Sequence, residues 1–160
     1  MLIIVGSAAV AEESWPYAPL AESCFSRTTA GFDTESCIGD AARACKLVEE
    51  NDVTIAGMTI CLSQEAAIWD RLLNNEYELA QEFAREQDQQ DLEVSPEFAV
   101  RSEQLLLAQR AWITFRDKNC DMLSGVWGRG TLGRTEGIRC FLEMTAQRAL
   151  ALRAYRAMHG

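Results

Sequence analysis

From Met58 to Phe83 an apolar residue returns at every third or fourth position: Met58, Leu62, Ala66, Trp69, Leu72 or Leu73, Tyr77, Ala80 and Phe83. That is the helical period, and a stripe this long commits the segment to one amphipathic helix with a face that other helices must cover. Glu65 is the only charge on the stripe. The stripe fades into the polar run Glu86-Gln87-Asp88-Gln89-Gln90-Asp91, which reads as a frayed end and a surface link. Two later stretches repeat the pattern. Phe98, Leu105, Ala108, Trp112, Phe115 and Met122 give an inner face to a helix over about 96–124, opened by Ser95-Pro96-Glu97. Ile138, Leu142, Thr145, Ala149, Leu152 and Tyr155 do the same over about 137–157.

Two shorter helices are expected near the start, over about 16–28 and 36–49, the second with N-caps available in Asp33-Thr34-Glu35-Ser36. Asn51-Asp52 ends it, and Thr54 and Gly57 fall in the connector. Residues 125–137 hold five glycines and read as a loop. No segment alternates as a strand does. The expected fold is all-α, an antiparallel bundle of about five helices, with Trp69, Trp112 and Phe115 in its core.

The six cysteines are Cys24, Cys37, Cys45, Cys61, Cys120 and Cys140. Residues 1–11 carry no charge and run from an apolar stretch into Ala9-Val10-Ala11, the pattern of a signal-peptidase site, with cleavage expected before Glu12. The basic segment that opens such leaders is missing, so the stretch reads as a signal-peptide remnant. No cysteine follows it to carry a lipid anchor. No other segment approaches the roughly 20 apolar residues of a membrane span. An even cysteine count behind an export signal implies disulfides and a periplasmic or secreted location. Six cysteines allow 15 pairings. Linking neighbouring helix ends favours Cys24–Cys37, Cys45–Cys61 and Cys120–Cys140. The first two can be exchanged for Cys37–Cys61 with Cys24–Cys45.

The chain carries 24 acidic and 15 basic residues, a net charge of −9. That disfavours nucleic acid and anionic membranes and favours a basic protein partner. There is no Cys-x-x-Cys, and the one histidine is His159 near the end, so neither a zinc or haem site nor a Ser-His-Asp or Cys-His catalytic set can be built. No catalytic residue, metal or cofactor is expected.

Two constellations stand out. Asp70, Asn74, Arg116, Asp117 and Arg148 sit on or beside the apolar stripes. Charges there must be paired, so Asp70 is expected to meet Arg116 or Arg148, with Asn74 completing a polar clasp. The second is the segment 121–139. A Cys120–Cys140 bond would clamp it, and it presents Trp127, Arg129 and Arg134 as a cationic, aromatic surface on an acidic body.

The motifs also resemble a known family, the LprI-type lysozyme-inhibitor-like domains. The resemblance rests on Cys61, Glu65, Asp70, Leu73-Asn74 and Tyr77. It continues with Gln109-Arg110-Ala111-Trp112, Phe115-Arg116-Asp117, Cys120, Cys140 and Arg148. It divides the chain into a signal-peptide remnant at 1–11, an N-terminal helical extension at 12–57 with Cys24, Cys37 and Cys45, and an LprI-like helical domain at 58–160. It implies export to the cell envelope and binding of a lysozyme-type muramidase. The alternative is a non-catalytic envelope adaptor with another protein partner.

Overall fold

The computed structural model of the chain describes residues 15–27, 35–48, 54–128 and 130–157. Five helices follow in order: α1 (Ala18–Arg27), α2 (Asp40–Val48), α3 (Ile55–Asp91), α4 (Arg101–Val126) and α5 (Thr131–Ala157). Short 3-10 turns at Glu35–Cys37 and Pro96–Phe98 lead into α2 and α4. The leader-like residues 1–11 lie outside the described residues, as do Asp33, Thr34 and His159.

α3 is the spine. Its 37 residues span about 55 Å at 1.5 Å per residue. Every other helix packs on it, α5 most extensively. α4 brings the chain back antiparallel to α3, so α5 runs parallel to α3. Thr59 meets Thr135 near the starts of α3 and α5, their hydroxyls 2.7 Å apart. Glu76 meets Arg156 toward the other end of α5. The stripe read from the sequence is the core: Leu62, Ala66, Trp69, Leu73 and Ala80 of α3 are buried against Leu142, Ala146, Ala149 and Leu152 of α5.

α3 starts where its cap says it should. The Thr54 side chain accepts from the Gly57 N–H at 3.1 Å, so Gly57 belongs to the first turn and not to a connector. It ends later than the polar run implies. Asp88 is buried, and its carboxylate accepts from the Arg101 N–H at 2.8 Å, the Ser102 N–H at 2.9 Å and the Ser102 hydroxyl at 2.7 Å. The segment expected to fray therefore supplies the cap of α4. Burial works against the charge on Asp88, but the Ser102 and Arg101 N–H groups, the Ser102 hydroxyl and the Arg101 guanidinium outweigh it and hold the carboxyl below its usual range. Ser95 makes no side-chain cap bond.

A buried side chain of α3 caps the N-terminal helix α2. Glu65 has no exposed surface. One oxygen accepts from the Gly39 N–H at 2.8 Å and from the Trp69 indole N–H at 3.0 Å; the other accepts from the Ala42 N–H at 2.7 Å. Glu65 thus caps α2 from another helix and faces the positive end of its dipole. Gly39 precedes α2 at φ +88°, a conformation that favours glycine. α2 starts at Asp40, later than its local caps imply, because this tertiary cap decides the start.

All six cysteines are paired, as Cys24–Cys37, Cys45–Cys61 and Cys120–Cys140. The first two bonds tie α1 to the turn before α2 and α2 to α3. The third ties α4 to α5.

α4 departs furthest from expectation. Only Gln109, Arg116 and Cys120 are buried on it. Trp112 is half-buried against the core, but Phe98, Phe115 and Met122 are exposed. α4 is an outer helix: α3 and α5 cover one side of it, and Phe115, Met122 and Val126 on the other side are exposed.

The residues expected to form a polar clasp are brought together in part. Arg116 is buried with its guanidinium 4.1 Å from the Phe141 ring centre and 5.0 Å from that of Trp112. It donates to Asp117 at 2.9 Å, lies 4.0 Å from Asp70 and reaches the Thr145 hydroxyl at 3.4 Å. Asn74 donates to Asp70 at 3.2 Å. Arg148 joins through an amide and not a carboxylate: it donates to Gln109 at 2.8 Å and lies 5.7 Å over Trp112. Burial pushes its pKa down, against the opposing influence of Tyr77. The carboxylates of the clasp are half-exposed. Its strength therefore comes from the stacked cation more than from a desolvated ion pair.

Three outcomes follow from this packing. Glu65→Ala strands three inward donors, each worth about 1–3 kcal/mol when left unpaired. It should lower stability by about 3 kcal/mol or more in urea unfolding, while Gln64→Ala beside it stays within about 0.5 kcal/mol. Arg116→Ala should cost about 1–3 kcal/mol through lost stacking and packing, because its partner carboxylates remain solvated. Arg116→Lys should not restore it. Asp88 is lowered in the fold, so its contribution is complete above the ordinary value of 3.8 and is lost as pH falls through the folded value. Asp88→Asn should flatten the stability curve on that acid side, measured by thermal melts across pH.

Candidate functional site

The end of the molecule where α4 turns into α5 gathers the exposed groups singled out in the sequence. The turn is much shorter than five glycines imply. α4 runs to Val126 and α5 starts at Thr131. Gly133 and Gly137 lie inside α5, four residues apart on the side facing α4. A Cβ on Gly133 would run into the carbonyl oxygens of Gly128 and Ser124. One on Gly137 would stand 3.3 Å from Ser124 Cβ. These glycines permit close helix contact, which is why they sit in a helix despite their poor propensity. Gly128, at φ +76°, and Gly130, whose carbonyl accepts the Arg134 N–H at 3.2 Å, serve the turn itself.

The turn is held from three sides. The Trp127 N–H donates back to Ser124 O at 3.2 Å and closes α4. The Cys120–Cys140 bond lies just below, with Cα atoms 5.4 Å apart. The Thr135 hydroxyl bonds Thr131 O at 2.9 Å and meets Thr59 of α3. A bridge across about 20 residues contributes ~3 kcal/mol in the chain-entropy model.

On this frame Trp127 is 57% exposed. Arg134 is also exposed, but on the first turn of α5 and not in a loop; it makes no ion pair with a described residue. The nearby acid Glu136 turns to Arg139 at 3.5 Å. Arg129 lies outside the described residues. Beside the turn runs an open groove of about 570 Å³, walled by Asp117, Asp121, Ser124, Gly128 and Arg134 and floored by Cys120 and Phe141. Asp117 and Phe141 also hold Arg116. The clasp and the tip, two separate constellations in the sequence, therefore share a wall. Asp121 was not singled out from the sequence; on an exposed helical face it carries no signal beyond solubility.

The arrangement offers charge, hydrogen bonding and an aromatic surface. Among the described residues no group of three His, Cys, Asp or Glu side chains is placed to hold a metal ion. Among them, too, no helix is long and apolar enough to cross a membrane.

Comparison with known families gives one match. The family model described as lysozyme inhibitor LprI matches residues 45–152. No curated protein matches the chain. No solved structure matches it either. The matched span takes in the last turn of α2 and its bond to α3, nearly all of the three-helix body, and the Cys120–Cys140 clamp. With most of its length under that model, the chain belongs to the LprI lysozyme-inhibitor family.

Proposed function

We propose that this protein acts outside the cytoplasm as a non-catalytic inhibitor of a lysozyme-type muramidase, with the α4–α5 tip as its contact surface. Membership in the LprI family carries the reading. Three further observations support it. Every cysteine is in a disulfide, which suits an oxidising compartment. The net charge of −9 favours encounter with a basic enzyme. The tip presents an exposed tryptophan and an arginine on a frame already fixed by a disulfide and glycine-mediated packing, which lowers the ordering cost of binding.

In this reading Arg134 and Arg129 reach carboxylates in the glycosidase cleft, where a planar guanidinium pairs bidentately. Trp127 supplies apolar contact area beside them. The acidic body sets the approach, and the basic tip makes the contact.

The test is inhibition of cell-wall lysis by purified residues 12–160, against several lysozymes at graded salt. Inhibition should weaken as salt shortens the Debye length from about 10 Å at 0.1 M to about 3 Å at 1 M. Arg129→Glu with Arg134→Glu should leave the melting curve unchanged. It should weaken inhibition by about 100-fold or more, since like charges set together at an interface cost several kcal/mol. A double variant that inhibits fully moves the contact away from the tip. A wild-type protein that binds no lysozyme leaves the envelope adaptor as the better reading.

A further inference from the structure

A second pocket opens between α2, α3 and α5, away from the tip. Arg139, Leu142 and Glu143 of α5 line it. Gly137, Ile138 and Phe141, which line the tip groove, lie on the opposite face of that helix. The floor is apolar, made by Ile38, Ala42, Met58, Leu62 and Leu142. The rim is cationic: Arg43 and Lys46 stand on α2 and Arg139 on α5, against the single carboxylate of Glu143. Of 160 residues only 15 are basic and the net charge is −9, yet three cations meet here. Ile38 to Arg43 precede residue 45, where the family match begins. The pocket is therefore made by the N-terminal extension folding onto the matched body.

We propose that this pocket binds a small carboxylate carrying one apolar group, with the group on the Met58–Leu62–Leu142 floor and the carboxylate between Lys46 and Arg139. Size sets the apolar part. The pocket holds about 190 Å³, somewhat more than the roughly 150 Å³ apolar cavity that takes benzene. One ring or one branched alkyl group fills it. Charge sets the polar part. Arg43 pairs with Asp40, and Arg139 lies 3.5 Å from Glu136. A guanidinium has five N–H donors, so each keeps some for a ligand. Lys46 makes no ion pair with a described residue. A planar carboxylate matches a guanidinium, and the apolar floor strengthens its attraction to the rim by lowering the local dielectric.

The wall on the α2 side is set before any ligand arrives. Glu65 accepts the N–H groups of Gly39 and Ala42, two residues of the pocket. The Cys45–Cys61 bond fixes the next turn of α2 to α3. Such a wall costs little further ordering on binding. The same chemistry, a carboxylate beside one apolar group, occurs in a free aryl acid and at the end of a peptide with an apolar last residue. Glu143 distinguishes them, because it can accept the N–H that a peptide end carries next to its carboxylate.

Titration of the oxidised full chain, followed through its amide chemical shifts, tests this. N-acetylphenylalanine should shift the Gly39, Ala42 and Leu142 amides saturably, with half-saturation at about 1 mM, the affinity that ordinary ligand efficiency gives a molecule of this size. Lys46→Glu should weaken binding by about tenfold or more and leave the melting curve unchanged, since Lys46 is exposed. Lys118→Glu, on exposed α4, should leave binding as it is. Binding of 3-phenylpropionate as tight as that of N-acetylphenylalanine supports the site and assigns it to free acids. Binding about tenfold weaker supports it and assigns it to peptide ends. The proposal is overturned if acetate moves the same amides as strongly, since charge alone then suffices. It is overturned equally if N-acetylphenylalaninamide binds as tightly, since the carboxylate is then not read. No saturable shift at about 10 mM, ten times the expected constant, or a shift confined to the Trp127 tip, also overturns it.

Discussion

The buried carboxylate of Glu65 joins two halves of this molecule that differ in their physical basis. The three-helix body, α3 to α5, is held by interlocking apolar stripes. The N-terminal helices are too short to stand alone, since helices of about ten residues are marginal in water. They are held by the Cys24–Cys37 and Cys45–Cys61 bonds and by Glu65, which supplies what α2 lacks, an acceptor for its first N–H groups. The same side chain orients Trp69, the largest fully buried residue, which in turn packs edge-on against Phe25 of α1 at 6.2 Å between ring centres. One polar group inside an apolar stripe therefore sets where α2 begins and how α1 meets the core.

Much of the fold was legible because helix stripes are periodic, and the stripes of α3 and α5 were read nearly residue by residue. Periodicity reveals a face but not what covers it. Phe115 and Met122 obey the same spacing as Leu142 and Leu152, yet only the latter pair is buried. Nothing local distinguishes a stripe that meets its own chain from one that does not. Glycine misled for a related reason. Gly133 and Gly137 look like turn residues, but their lack of a side chain serves contact between helices, information that lies in α4 and not in their own neighbourhood. Asp88 was hidden in a polar run for the same reason: its partners are the first residues of α4.

The candidate site was legible in its residue types and less so in its shape. Trp127 and Arg134 are exposed, as cationic and aromatic groups near a short turn tend to be. Their support was not foreseen, because it comes from helical packing and from Thr135 meeting Thr59. The polar clasp was recognised by the principle that charges near a core need partners. Arg148 broke the simplest version of that rule by satisfying itself with the Gln109 amide and the Trp112 face. Its charge is tolerated at partial burial without a carboxylate.

The pairing of the cysteines has a consequence for how the molecule is made. Each bond joins one cysteine to the next along the chain, over separations of 13, 16 and 20 residues, and no two loops interleave. A chain threaded N-terminus first into an oxidising space exposes its thiols in that same order. Each newly arrived cysteine finds its native mate already present and unclaimed, or becomes the one that waits. Oxidation in that order of arrival would give the native connectivity without reshuffling.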